Sequence, residues 1–183
     1  MKISIGESYP RIFKPVAYAT KEIEGVGHSH IFITWKDRLN LRWVAEARGG
    51  GIQIISNKAF KSKNFVINVY DYECNEAQYK NAIEYIWAES DKSYGYLQML
   101  GLLWMRAHIW WANIRGKKSK ATNPLRDGEH SQICCEFAIN TIVNALDIPS
   151  PDDVESYGLR ETRVLNEKYG KKALEERIKR INR

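Results

Sequence analysis

A chain of 183 residues is long enough for one well-cored domain and too short for two independent cores. Its 44% hydrophobic and 27% charged composition is ordinary for a soluble globular protein, and three cysteines exclude a disulfide framework and fit a reducing compartment. The net charge is +6, but nine basic and four acidic residues fall within 160–183, leaving 19 against 18 elsewhere, so a nearly neutral body carries a basic tail.

In chain order, MKISIGESYPRIFK lacks the apolar core and small-residue cleavage site of a signal peptide, so a cytoplasmic location is expected. Runs rich in β-branched and aromatic residues predict strands at 16–20, 30–35, 41–47, 52–55 and 65–70, with GGG at 49–51 as a turn. The period then changes. Tyr79, Ala82, Ile83, Ile86 and Trp87 recur at helical spacing. A second helix over about 94–113 is too interrupted by Gln98, Arg106, His108 and Asn113 to span a bilayer, and is expected to be buried on most sides. RGKKSK at 115–120 reads as an exposed basic loop, and the Asn-Pro and Asp-Gly pairs that follow are turn signals. A third helix starts near SQICCEFAIN (131–140), with Ser131 as expected N-cap, and IPSPDD ends it. Strands first and helices afterwards predict an α+β domain over 1–183 with a helical basic tail at about 160–183, inward-facing at Leu174, Ile178 and Ile181.

The adjacent cysteines raise the functional question. On a helix, Cys135 falls in line with Ile139, Ile142 and Leu146 and reads as a small core residue. Cys134 shares its side with Ala138, Thr141 and Ala145, in the first turn, where the helix dipole lowers a thiol pKa. Two inert buried cysteines fit the same pattern. A thiolate nucleophile needs a base. His30 opens a strand, alternating with Ile31, Ile33 and Trp35. His28 lies nearer the Gly-rich loop, His130 precedes the cysteine helix, and His108 reads as a core histidine. Glu46 would stand beside His30 if the two strands form a hairpin across KDRLN, supplying the group that orients the imidazole.

The order SHIFITW, VAEARGGGI, ICCEFA resembles the circularly permuted papain-like cysteine hydrolases, the YiiX-like branch of the NlpC-type superfamily related to lecithin retinol acyltransferase. Ser29-His30, Glu46-Ala47 and Cys134-Cys135-Glu136-Phe137 carry the likeness, with Cys135 where a serine is usual; Tyr94-Gly95-Tyr96 and the late Ser-Pro-Asp-Asp add to it. It covers roughly 16–153 and leaves the tail beyond Gly158 unexplained. The resemblance implies a permuted papain-like fold and a Cys134–His30–Glu46 triad acting through an acyl-enzyme on a peptide, amide or acyl substrate. Backbone N–H groups at the helix start would form the oxyanion hole, and no metal or organic cofactor is required.

Two rivals come from other classes. His28, His30, Cys134 and Cys135 make a plausible zinc ligand count, although adjacent helical cysteines point apart. Alternatively the domain is a catalytically silent binding module whose basic tail meets nucleic acid or another anionic partner. Cys74 is read as structural or incidental.

Overall fold

The computed structural model describes residues 1–12, 14–117, 119, 121, 124–125, 131–146, 148, 158–173, 179 and 181–183. Its strands are β1 (Lys2–Pro10), β2 (His30–Lys36), β3 (Arg42–Arg48), β4 (Gly51–Ser56), β5 (Asn64–Glu73), β6 (Ser93–Tyr94), β7 (Ser131–Gln132) and β8 (Lys171–Lys172). Its helices are α1 (Pro15–Glu24), α2 (Asn57–Lys63), α3 (Glu76–Ala88), α4 (Tyr96–Ile114), α5 (Cys134–Leu146) and α6 (Leu159–Tyr169). The fold is α+β, as expected. Six strands form one antiparallel sheet in the order β4-β3-β2-β1-β5-β8, while β6 and β7 pair in parallel apart from it.

Period-2 alternation sorts the sheet's side chains into two cores. Ile3, Ile5, Ile31, Ile33, Trp35, Ala45 and Ala47 face a cluster completed by Ala82 and Ile86 of α3 and by Phe137, Ala138 and Ile142 of α5. Phe32, Val44, Val66 and Val69 face the other side, with Phe60 of α2 and Ile181. Gly6 is required where β1 passes Phe32, because a Cβ there would lie 2.0 Å from the ring.

Several expectations are corrected. Residues 16–20 are helical: Pro15 at the first helical position and Gly25 in the left-handed C-cap bracket α1, and Val16 and Tyr18 are exposed, so their alternation served no core. The central strand β1 was not anticipated; its Ile3 and Ile5 are wholly buried, but Gly6 and Pro10 interrupt the run. The helix α5 begins at Cys134, not near Ser131, which lies in β7. α4 buries Gln98, Gly101, Leu102 and Met105 on one side, and most of its remaining apolar residues are exposed, contrary to the expectation of burial on most sides. His108 lies on that exposed side, 3.2 Å from the Ser119 hydroxyl, rather than in the core.

The basic tail is a working part of the fold. α6 packs on β5, β8 extends the sheet beside β5, and the Asn182 amide bonds both backbone groups of Val66. Ile181 is buried; Leu174 and Ile178 lie outside the described residues.

Candidate active site

Asp37 shapes the β2–β3 turn. Its carboxylate accepts from the backbone N–H groups of Leu39 and Leu41 and from Trp43 Nε1, and Asn40 takes the positive φ the turn needs. This hairpin sets the register Ile33↔Ala45 through Lys36↔Arg42 and places His30 and Glu46 near one another at its far end. The expected pair forms: His30 Nε2 lies 2.8 Å from Glu46 Oε2. Glu46 is fully buried, and Arg48, two residues along the same strand, donates to its other oxygen at 3.2 Å. Arg48 was legible only as a same-face neighbour of Glu46.

The β2–β3 pairing stops at Ile33, and the cysteine helix packs against both strands. Cys134 lies beside His30 and the backbone of Ile31, and both help to hold its thiol pKa down. With Nε2 occupied by Glu46, Nδ1 is the ring nitrogen left for the sulfur. All three expected residues therefore come together. The start of α5 is fixed by the β6–β7 pairing, by Gly95 N–H donating to Gln132 at 3.2 Å, and by the buried Gln98 amide donating to Glu136 at 2.8 Å.

The electrostatics separate the two thiols. Cys135 Sγ lies 3.9 Å from Cys134 Sγ. A hydrogen bond from Cys135 holds the Cys134 thiol well below its ordinary range; burial opposes this, and His30 adds to it. Cys135 is pushed up by that same contact and by burial. Burial disfavours charge on His30, but its bonds to Cys134 and Glu46 outweigh burial and push the imidazole up to about 9. Burial likewise pulls Glu46 upward, and the His30 bond and Arg48 reverse it, leaving the carboxyl below its ordinary value. The favoured state is a thiolate–imidazolium pair backed by a carboxylate.

A second buried cluster adjoins the first. Glu7 of β1 accepts from Arg163 of α6 at 3.1 and 2.7 Å and from Asn68 at 2.6 Å. Arg163 also donates to His28 Nδ1 at 3.0 Å. Burial, the larger influence, and the Arg163 charge together outweigh Glu7 and pull His28 down to about 4, so this imidazole is neutral. Its Nε2 is buried without a hydrogen-bond partner, as are the Ser8 and Ser29 hydroxyls on either side of the His30 strand end. No sequence pattern signalled this cluster, since its members come from positions 7, 28, 68 and 163.

His28 turns its Nδ1 to Arg163 and Glu7, and His30 its Nε2 to Glu46. Among the described residues no group of three or more His, Cys, Asp or Glu side chains is placed to hold a metal ion. His130 lies outside the described residues. Cys74 is buried after β5, and burial raises its thiol pKa. A cavity of about 1390 Å³ lies at the opposite end of the β2–β3 hairpin, lined by Trp35, Asp37, Arg42, Trp43, Tyr79 and Trp87 among others; none of the triad lines it. No helix among the described residues is long and apolar enough to cross a membrane.

No family model, curated protein or solved structure matches the chain.

Proposed function

We propose that the chain is a cysteine hydrolase with a permuted papain-like arrangement, cleaving an amide or thioester through Cys134, His30 and Glu46. The observation that carries this reading is His30 held 2.8 Å from a buried carboxylate and set beside the lowered thiol of Cys134 at the first residue of α5. The Cys134 thiolate attacks the substrate carbonyl carbon and a C–S bond forms. The first helical bond of α5 runs from Phe137 N–H to Ile133 C=O, so the N–H groups of Cys134, Cys135 and Glu136 have no partner within the helix and can receive the oxyanion. His30 gives its proton to the departing amine or thiolate as the C–N or C–S bond breaks. Water then attacks the acyl-enzyme, His30 takes its proton, and the acid leaves with the Cys134 thiolate restored. Glu46 holds the ring in place and favours its charged form.

The silent binding-module reading is less favoured, because Arg163 of the tail is engaged by the buried Glu7 rather than presented to a partner. The hydrolase reading is tested with an activated ester, p-nitrophenyl acetate, followed by intact-mass and peptide analysis. The expected result is a burst of nitrophenol and one acetyl group on Cys134, abolished by Cys134→Ser and slowed by His30→Ala. Acetylation shared equally with Cys74 and indifferent to His30 would overturn it.

A further inference from the structure

Helix α4 carries an apolar seam that the other described residues leave exposed. Leu97, Leu100, Trp104, Ala107, Trp111 and Ile114 are all exposed, and the five large ones are 50–61% accessible. Their spacing is 3, 4, 3, 4, 3, the a/d repeat of a helix that packs along another helix. The seam is held outward by the opposite side of α4. There Leu102 and Met105 are buried in the core, and Arg106 is bonded to Glu24 of α1 and Glu161 of α6.

We propose that this seam is a homodimer interface, in which α4 lies antiparallel against α4 of a second copy about a two-fold axis between positions 104 and 107. The two-fold dictates which residues meet. An axis there brings Leu97 to Ile114, Leu100 to Trp111 and Trp104 to Ala107 of the second copy. The bulkiest side chain near the axis thus meets the smallest, which lets the helices approach closely. A parallel pairing would set Trp104 against Trp104 and Ala107 against Ala107, alternately overfilled and empty. Antiparallel helix dipoles also attract. The indoles are preset by their own helix: Trp104 stacks on His108 with centroids 5.4 Å apart, and the Arg115 guanidinium sits 4.5 Å over Trp111. Half-exposed aromatic and aliphatic side chains of this number offer on the order of 600–800 Å² per copy, close to a standard interface.

Sedimentation equilibrium on the full chain tests this. The wild type is expected to dimerise at micromolar concentration. Ala107→Trp should weaken the dimer by at least about 10-fold, as expected for overfilling an interface centre. The swapped pair Trp104→Ala/Ala107→Trp should restore it, because it rebuilds the same large–small contact. All these positions are exposed, so the variants keep the fold, which circular dichroism checks. A wild-type monomer at 100 µM, about the top of the range tested, would overturn the proposal, as would an Ala107→Trp dimer of unchanged strength. So would a monomer that floats with phosphatidylcholine vesicles, which would assign the seam to lipid.

Discussion

His30 Nε2 and Glu46 Oε2 stand 2.8 Å apart, although the residues are sixteen positions apart in the chain. The hairpin turn built on Asp37 brings them together, and Cys134 and the buried Glu46 carboxylate together keep the imidazole charged up to about pH 9. Most of the site's behaviour follows from this pair.

The thiol is the first consequence to check. Iodoacetamide should modify Cys134 ahead of Cys74 and Cys135 at pH 6.5, at least about 10-fold faster than a free thiol of pKa near 8.5. His30→Ala should remove part of that advantage, the remainder resting on the Cys135 contact. Peptide mapping of the modified protein reads both, and equal slow labelling of all three cysteines would refute the thiolate assignment.

Glu46→Gln keeps a hydrogen-bonding group beside the ring but removes its charge. We expect kcat/KM on an activated ester to fall by roughly 10- to 100-fold, about 1.4–2.7 kcal/mol of lost transition-state stabilisation. The alkaline limb tells more. His30 is the proton donor in acylation, so activity should fall as pH rises through about 9. In Glu46→Gln that limb should move to lower pH, since one source of the raised value is gone. An unmoved limb would assign the titration to another group.

His28 should make the fold acid-sensitive. Its folded-state pKa of about 4 is below the ordinary 6.5, so the unfolded chain takes the proton first as pH falls. The stabilisation is complete above pH 6.5 and is lost between 6.5 and about 4, on the order of 3 kcal/mol in all. The charged or titrating groups facing it are Glu7 of β1, Arg163 of α6, His30 of β2 and Cys134 of α5. Cys134, also depressed, changes stability in the same direction, so the comparison belongs in a Cys134→Ser background. There, urea unfolding against pH should lose about one proton's worth of slope on His28→Gln. An unchanged slope would show that His28 is not the acid-sensitive group.

Arg163→Met leaves the Glu7 carboxylate buried beside a neutral histidine. A loss of about 3 kcal/mol is expected, the low end for a broken buried pair because Arg163 is about a quarter exposed. For a chain of this length that is a fall in Tm of roughly 10 °C. Glu7→Gln/Arg163→Met should recover part of it, which calorimetry on both variants would show.

The local signals in the sequence were strong where short-range physics decides. Alternating β-branched runs placed β2, β3, β4 and β5, helical spacing placed α3, and parity placed Glu46 on the face of Arg42 and Val44. Cys134 and His30 each open a regular element, Glu46 shares its strand's parity with Arg42 and Val44, and the resemblance joined the three into a triad. Residues 16–20 misled because Val16, Tyr18 and Thr20 imitate a strand, while the deciding features were Pro15 and Gly25 at the ends.

Tertiary structure alone decided the rest. That β1 is central, and that β8 of the basic tail completes the sheet, depends on pairings between segments up to about 100 residues apart, for which no local period exists. The Glu7–Arg163–His28 cluster exists because burial forces distant charged groups to satisfy one another, a condition that arises only after the chain has closed around them. By itself, the sequence determined which residue types stand on which faces. Only the closed sheet decided which strands the cysteine helix meets, because α5 packs against β2 and β3 at once.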